Sequence, residues 1–249
     1  MKVLITGNEG FIGKNIEIYL KNKGFEVIGF DKADGKDLFY KEEGWNQLYE
    51  VMETHKPSYV VHCAAALNND VFDCLRNNIS ASINLFNVCK DFKVKKLINF
   101  FSAAIYGELN SIANEYSAKY PINIYGWSKL CVENLTYQYF GKIPFLNFRL
   151  ANVYGKGGKG IINQIIEKGI KGDTIKLNNQ GLNIRDFVYV EDICKITEMC
   201  LHNDLLGTYN ISTKIPTLIS LLPKKIEQTF NIKIKYENTN PIDEIKYSC

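Results

Sequence analysis

The chain has 249 residues, of which 46% are hydrophobic and 23% are charged. This composition is typical of a globular protein with one large domain or a domain with a small annex. The formal net charge of +3 is too small to indicate binding to nucleic acid or to an anionic membrane surface. No apolar run approaches the roughly 20 residues of a membrane span. A strand-like run begins at Lys2, so no signal peptide is expected.

The cysteines and histidines do not suggest a metal site. The seven cysteines are scattered and never spaced as C-x-x-C, and the three histidines have no paired ligand spacing. Several cysteines lie in apolar runs, as is typical of small buried side chains in a reducing compartment. We therefore predict a cytoplasmic protein without a bound metal.

Short β-branched runs alternate with helical patterns over the first 152 residues. Buried strands are predicted at 2–6, 25–30, 58–63, 97–102 and 145–150. Helices are predicted between them at 11–23, 45–55, 78–92 and 125–140. Alternating segments of this length predict an α/β fold, namely a doubly wound parallel (Rossmann) sheet with helices on both faces.

The pattern changes after Asn152. A loop of glycine and lysine at 155–160 precedes a predicted helix at 161–171. Shorter, mixed elements follow at 174–177, 187–190, 192–202, 209–212, 218–230 and 232–236. We predict a dinucleotide-binding domain over 1–152 and a small, intertwined C-terminal cap over 153–249 that binds the substrate.

The strongest local signal is a glycine motif that follows the first strand and opens the first helix. The first glycine permits a tight turn, the second lets the backbone approach a pyrophosphate, and the third lets the helix pack closely on the strand. Alone, such a motif could be a glycine-rich turn without a ligand. Asp31 ends the second strand, where its carboxylate would bind the adenosine ribose and repel a 2′-phosphate. The combination predicts NAD, with its pyrophosphate over Gly10–Ile12. The cofactor-binding residues predicted in this motif are Gly7, Gly10, Phe11, Ile12 and Gly13.

Ser102, Tyr125 and Lys129 form a second candidate constellation. Tyr125 and Lys129 are four residues apart, so they share one face of a helix. A nearby ammonium and a positive nicotinamide ring both favour the phenolate, which would let Tyr125 act as an acid and base near neutral pH. Ser102 ends a predicted strand at the carboxyl edge of the sheet. A solvated helix face would explain the Tyr–Lys pair alone, but not its coincidence with Ser102 and the glycine motif.

These motifs resemble the extended short-chain dehydrogenase/reductase family of nucleotide-sugar epimerases, dehydratases and reductases. The matching landmarks run from Gly7 to about Ser212. The resemblance implies that the cofactor also contacts Asp37, Leu38, Ala64, Ala65 and Asn78. It further implies that Asn152 and Arg185 hold the diphosphate of a nucleotide-sugar substrate. Arginine occurs only at Arg76, Arg149 and Arg185; Arg185 is the better phosphate candidate, and Arg149 is expected to be structural.

The two residues that directly follow Ser102 limit which of the family's reactions is expected. The 4,6-dehydratases of the family carry Asp-Glu there, whereas this chain has Ala103 and Ala104, so dehydration is not expected. Asp31 and a retained NAD favour an epimerase that moves a hydride transiently at a sugar carbon, with C4 as the expected position. The short segments 31–37 and 66–77 favour instead an NAD(P)H-dependent 4-keto reductase or dehydrogenase. A non-catalytic NAD-binding protein is the remote alternative.

The resemblance also implies a two-fold homodimer. In such a dimer, helices 78–92 and 125–140 pair with their mates as a four-helix bundle. The second helix offers Leu130, Val132, Leu135, Tyr137 and Tyr139, so apolar groups appear on more than one face. A helix that packs on a sheet needs one apolar stripe, so the additional surface is expected to be covered by a partner.

Overall fold

The computed structural model describes residues 1–39, 42–109, 111–239 and 247–248. Its strands are β1 (Lys2–Thr6), β2 (Glu26–Phe30), β3 (Tyr59–His62), β4 (Lys96–Ser102), β5 (Phe145–Leu150), β6 (Asn152–Tyr154), β7 (Thr174–Leu177), β8 (Ile184–Arg185), β9 (Phe187–Tyr189), β10 (Gly207–Ile211), β11 (Thr217–Leu218), β12 (Lys235–Asn238) and β13 (Tyr247–Ser248). Its α-helices are α1 (Phe11–Asn22), α2 (Glu42–His55), α3 (Val71–Cys74), α4 (Ala81–Asp91), α5 (Ile124–Gln138), α6 (Ile161–Lys171), α7 (Val190–Leu201) and α8 (Leu222–Phe230).

The centre of the described chain is a six-stranded sheet with the order β10-β5-β4-β3-β1-β2. Every pair of neighbouring strands in it is parallel. The chain runs from β1 to β2 on one side and then crosses to β3 on the other, so the winding reverses at β1. Such a reversal opens a crevice at the carboxyl ends of β1 and β3. The arrangement confirms the predicted doubly wound parallel sheet.

Different helices cover the two faces of the sheet. Along β1, Leu4 lies on one face and Val3 and Ile5 on the other, as the two-residue period of a strand requires. Leu4 packs in a core with residues of α2, α4 and α5, whereas Val3 and Ile5 pack with residues of α1 and α7. Both faces of the strands are therefore buried, which explains why they are almost continuously apolar.

The smaller part of the fold has its own core. Ile165 of α6, Ile175 and Leu177 of β7, and Leu222 and Ile226 of α8 are packed together. In contrast, α7 packs on α1 and β10 forms the edge of the main sheet. Residues after 152 thus contribute to both parts, and the substrate-binding role of the smaller part stays a prediction.

The helix predicted at 78–92 begins earlier than expected. Part of the segment 66–77, which the sequence predicts as a short loop, is helical from Val71, where the Asp70 carboxylate accepts a hydrogen bond from the Asp73 amide at 2.8 Å. A π-helical stretch, Leu75–Ser80, then leads directly into α4. An aspartate that caps a helix in this way is a sequence signal for its start.

Two boundaries in the second half also differ from the prediction. The helix expected at 192–202 begins at Val190, so Asp192 lies in its first turn, where a carboxylate stabilises the helix dipole. The segment 218–230 is divided into β11, a short 3₁₀ turn and α8, with Pro223 in the first turn of α8.

Within the described residues, no helix is long and apolar enough to cross a bilayer.

Candidate active site

The glycine motif forms a tight turn between β1 and α1. Gly7 has a φ of 71°, in the left-handed region that favours glycine. A Cβ on Gly7 would lie 2.5 Å from the backbone nitrogen of Ala64. A Cβ on Gly13 would lie 2.1 Å from the carbonyl oxygen of Gly7. The first and third glycines therefore permit contacts that no larger residue would allow.

A cavity of about 340 Å³ opens at the carboxyl ends of β1, β2 and β3. Of the residues that the sequence assigns to the cofactor, those that line it are Gly7, Gly10, Asp31, Asp37, Leu38, Ala64 and Ala65. Phe11 and Ile12 stand in the first turn of α1, beside Gly10, which precedes the helix and has no side chain to cap it. The amides of a first helical turn lack partners within the helix and attract an anion. The cavity therefore fits the elongated, anionic cofactor that the motif predicts.

Asp31 lies at the end of β2, on the wall of this cavity. Its carboxylate accepts hydrogen bonds from the amides of Ala33, at 2.9 Å, and Glu9, at 3.1 Å. These bonds fix the carboxylate against the glycine turn while it remains at the cavity wall. This is the position that a ribose-binding carboxylate needs in a doubly wound fold.

Asp37 belongs to a charged group at the far end of the cavity. Its carboxylate pairs with Arg76 at 2.7 Å and with Lys32 at 3.6 Å. The Arg76 guanidinium also lies over the ring of Phe39, 4.8 Å from its centroid. The scarcity of arginine singles out Arg76 in the sequence without giving it a role. Its pairing depends on a contact 39 residues away along the chain, which no local pattern reveals.

Asn78 holds in place the loop at Ala66, which lines the cavity. Its side-chain oxygen accepts a hydrogen bond from the Ala66 amide at 2.7 Å. Its side-chain nitrogen donates to the Ala66 carbonyl at 3.1 Å and to the Ser128 hydroxyl at 2.8 Å. Asn78 is buried and joins the cavity loop to α5. Its direct contact with a cofactor, which the resemblance implies, stays a prediction.

Ser102, Tyr125 and Lys129 stand together at the end of β4 and the start of α5. Ser102 precedes a 3₁₀ turn, where its hydroxyl accepts a hydrogen bond from the Ala104 amide at 3.1 Å. The Lys129 ammonium lies 5.9 Å from the centroid of the Tyr125 ring and donates to the Phe100 carbonyl at 3.1 Å. The constellation predicted from spacing is thus assembled at one edge of the sheet.

Burial dominates the ionisation of this pair. It raises the pKa of Tyr125 to about 12, against a smaller lowering by the hydrogen bond with the Ser102 side chain. It lowers the pKa of Lys129 to about 8. The sequence predicts that nearby charges favour the phenolate, and in the structure the cost of burying a charged phenolate is the larger effect.

His62 is a core residue beneath the cavity, as its place in an apolar strand predicts. Its Nδ1 lies 2.7 Å from the Thr6 hydroxyl and its Nε2 lies 3.1 Å from the Ser82 hydroxyl. Burial lowers the pKa of His62 to about 3, and the positive charge of Lys129 contributes to the lowering. The imidazole is therefore neutral near pH 7 and connects β1, β3 and α4.

The two residues assigned to the substrate lie on short strands outside the main sheet. The Asn152 side chain donates to the Asp186 carbonyl at 3.2 Å, and an Arg185 Nη1 donates to the Ile184 carbonyl at 2.9 Å. These contacts anchor the two side chains, and their contact with a diphosphate stays a prediction.

Within the described residues, no cluster of His, Cys, Asp or Glu is arranged to hold a metal ion.

The model of the NAD dependent epimerase/dehydratase family matches residues 3–212. The chain belongs to this family. That membership confirms the family predicted from the motifs, a family described as NAD dependent. The match ends close to Ser212, the last landmark of the resemblance.

Two relatives illustrate the range of activities among similar proteins. The dTDP-D-glucose 4,6-dehydratase of Dictyostelium discoideum is 30% identical over an alignment of 252 positions, and the alignment covers 85% of this chain and 58% of that protein. The GDP-6-deoxy-D-talose 4-dehydrogenase of Aggregatibacter actinomycetemcomitans is 34% identical over 209 residues, which cover 79% of this chain and 68% of that protein. The chain spans less than two thirds of the length of the Dictyostelium discoideum dehydratase.

Solved structures share the whole fold. The UDP-glucose 4-epimerase of Thermus thermophilus, in complex with NAD, superposes with a TM-score of 0.87 at 24% identity. The match covers 100% of this chain and 89% of that structure. The UDP-glucose 4-epimerase of Thermotoga maritima, with UDP-glucose, gives a TM-score of 0.86 at 25% identity, with coverage of 100% and 89%. The fold therefore extends over the smaller C-terminal part as well as over the sheet.

Proposed function

We propose that the protein is an NAD-dependent nucleotide-sugar epimerase that acts by transient hydride transfer, with C4 of the sugar as the expected carbon. The observation that carries the proposal is the joint presence of the cavity lined by Asp31 and the Ser102, Tyr125 and Lys129 group at the same sheet edge. Solved 4-epimerases of the same fold support it.

We infer a cytoplasmic location. The six cysteines in the described part of the chain have free thiols, which is typical of a reducing compartment.

The chain's own residues divide the work of such a reaction. Gly7, Gly10 and Asp31 would hold the pyrophosphate and adenosine ribose of NAD, which when bound supplies the hydride acceptor. Tyr125, as the phenolate that Lys129 and the positive nicotinamide ring favour, would accept the proton of the sugar hydroxyl and later return it. Ser102 would donate a hydrogen bond to the same sugar oxygen. Lys129 would stabilise the charged phenolate at 5.9 Å from the ring centroid.

A dehydrogenase or 4-keto reductase is the second candidate. The GDP-6-deoxy-D-talose 4-dehydrogenase, 34% identical over 209 residues, favours it. The same residues serve both reactions, and the difference is whether the hydride returns to the sugar. A dehydratase is disfavoured because Ala103 and Ala104 offer no acid or base beside Ser102. The remote candidate, a non-catalytic NAD-binding protein, has no need of the half-buried Tyr125 and the buried Lys129.

A panel of UDP-, GDP-, CDP- and dTDP-sugars tests the proposal. Purified protein is incubated with each sugar, the products are analysed by NMR, and the absorbance of reduced nicotinamide is followed. An epimerase converts one sugar to its epimer without net reduction of added NAD. Stoichiometric growth of the reduced-nicotinamide band indicates the dehydrogenase instead. No turnover and no reduction across the panel would leave the non-catalytic candidate.

Replacing Asp31 by alanine is expected to weaken NAD binding about 10- to 100-fold, which corresponds to the roughly 1.5–3 kcal/mol of hydrogen bonds to a charged group. The same change should relax the preference against NADP, because the carboxylate that repels a 2′-phosphate is removed. Titration calorimetry with NAD and NADP measures both effects.

Asp34→Ala is the matched control for this prediction. Asp34 lies in the same turn, three residues from Asp31, and is exposed. Its replacement should leave both affinities unchanged. Asp31→Asn removes the charge and keeps an acceptor for only one of the two amides, Glu9 or Ala33, that bind the two carboxylate oxygens. If the wild-type protein binds NADPH as tightly as NADH, the role given to Asp31 is wrong.

We propose that the protein forms a homodimer, which the sequence assigns to helices 78–92 and 125–140. The apolar residues that the sequence assigns to that contact are mostly buried within the chain: Val132, Leu135 and Tyr139 pack against the core under α4. The candidate contact surface is formed instead by exposed residues of α3, the π-helical stretch and α5. We call it the α3–α5 patch; its members are Val71, Phe72, Leu75, Ile124 and Trp127.

The α3–α5 patch suits a second copy of this chain. Phe72 is 82% exposed and Trp127 is 54% exposed, and apolar side chains clustered on adjoining helices are typical of a protein contact. An isologous contact needs one such self-complementary surface. Light scattering at micromolar concentration should give twice the monomer mass. Phe72→Glu should give a monomer, whereas Phe140→Glu, at an exposed site outside the patch, should not. A monomeric wild type would contradict the proposal.

A further inference from the structure

A polar cluster with a buried centre lies on the elements that carry the catalytic group. It joins α5, β5, β10, the turn after Ser102 and the loop 107–123. We call it the Glu133 cluster; its members are Tyr106, Glu115, Lys119, Glu133, Arg149 and Asn210. None of these residues is assigned to the cofactor or the substrate.

The centre of the cluster is a bidentate ion pair. The Arg149 guanidinium donates to both oxygens of Glu133, at 2.8 and 2.7 Å. Both side chains are almost completely buried. Lys119 adds a second cation, 2.7 Å from the same carboxylate. Burial opposes the charge on Glu133, but the hydrogen bonds from Arg149 and Lys119 hold its pKa below the usual value. The carboxylate therefore stays ionised.

Tyr106 extends the cluster to β10, the edge strand beside β5. Its hydroxyl accepts a hydrogen bond from Arg149 at 2.6 Å and donates one to the Asn210 side chain at 2.7 Å. The Asn210 amide donates to the Glu115 carboxylate at 2.8 Å, and Arg149 also donates to the Glu115 carbonyl at 3.0 Å. One phenol thus connects the ion pair to β10 and to the loop 107–123.

The cluster holds the elements that carry the catalytic group. Glu133 is one helical turn beyond Lys129 and two beyond Tyr125, so the three share one stripe of α5. Tyr106 ends the 3₁₀ turn that begins after Ser102. The loop 107–123 connects that turn to α5, and the cluster binds it through Glu115 and Lys119. Both sides of the catalytic group are therefore fixed to Arg149.

We propose that the Glu133 cluster positions Tyr125 and Lys129 against Ser102, with Tyr106, Arg149 and Glu133 as positioning residues for the proposed hydride-transfer reaction. A planar, bidentate pair fixes both distance and angle, which an apolar contact does not. A buried ion pair of this kind is weak evidence for a role in stability, because apolar residues of similar volume often stabilise a protein as well. A displacement of about 1 Å at a reacting group, by contrast, can reduce turnover about 100-fold.

Tyr106→Phe is the sharpest test, because it removes one oxygen and keeps the buried ring. We expect kcat for the nucleotide sugar to fall about 10- to 100-fold, with the KM for the sugar and the affinity for NAD little changed. Tyr139→Phe is the matched control. Its hydroxyl donates to Asn87 at 3.0 Å, at the far end of α5 and outside the cluster, so the same deletion should leave kcat unchanged. Arg149→Lys, which keeps the charge without the bidentate fork, should resemble Tyr106→Phe.

A spectroscopic readout separates this inference from the proposed function on which it rests. The ¹³Cζ resonance of Tyr125 is followed in tyrosine-labelled protein saturated with NAD and assigned with Tyr125→Phe. It should shift in Tyr106→Phe and stay in place in Tyr139→Phe, whether or not a substrate has been found. An unshifted resonance overturns the positioning role. So does an unchanged kcat accompanied by a lower melting temperature, which is the result of a purely structural contact. Absence of turnover in the wild type, with a shifted resonance, would count against the proposed reaction alone.

Discussion

Replacing Tyr125 by phenylalanine is expected to lower turnover of the nucleotide sugar about 10²–10⁴-fold, the usual contribution of a positioned acid and base. The phenol is the group of the catalytic set that can accept and return the hydroxyl proton. Its ring stays in place in the variant, so folding and NAD binding should be nearly unaffected. Steady-state kinetics with the active sugar, together with NAD titration and thermal melting of both proteins, measure the three quantities.

Tyr137→Phe is the control on the same helix. Tyr137 is 57% exposed and lies three turns along α5 from Tyr125, so its hydroxyl should contribute nothing to turnover. A Tyr125 variant with an unchanged rate would remove the proposed mechanism. A variant that loses turnover together with NAD affinity or thermal stability would point instead to a disturbed fold. Only a selective loss of turnover supports acid–base catalysis.

The parts of the site that are local in sequence could be predicted. The glycine motif and Asp31 stand at the ends of two strands whose continuous apolar character marks them as buried. Their chemistry depends on turn geometry and on residues a few positions apart. The pairing of Tyr125 with Lys129 follows from the helical period alone. In each case the signal and the structure that it predicts lie within one supersecondary unit.

Contacts between distant elements could not be predicted in the same way. The sequence predicts that Arg149 satisfies buried carbonyls, and it does bind the Glu115 carbonyl, but its main partner is the Glu133 carboxylate. That pairing depends on how α5 packs over β5. The raised pKa of Tyr125 likewise depends on burial, which the sequence indicates only coarsely. Single residues with several candidate partners therefore need the packed structure.

Replacing Gly13 by alanine is expected to destabilise the protein, whereas a change from glycine to alanine within a helix usually stabilises it. In the interior of a helix, alanine is normally more favourable than glycine by about 1 kcal/mol. Here the added Cβ would lie 2.1 Å from the Gly7 carbonyl oxygen and 2.9 Å from the Asn8 Cα. Because α1 must move away from the turn to relieve this overlap, we expect a loss of about 1–3 kcal/mol in the free energy of unfolding. Denaturant titration with far-UV circular dichroism measures it.

The same movement would carry the first turn of α1 away from the pyrophosphate of bound NAD. We expect NAD affinity to fall about 100-fold, equivalent to roughly 2.7 kcal/mol. Gly24→Ala, just beyond the other end of α1, is the matched control. A Cβ there meets nothing within 4 Å, although its φ of 82° strains an alanine. That strain costs about 1–2 kcal/mol of stability but should leave NAD affinity unchanged. If Gly13→Ala binds NAD like the wild-type protein, close packing of α1 on the turn does not control the cofactor site.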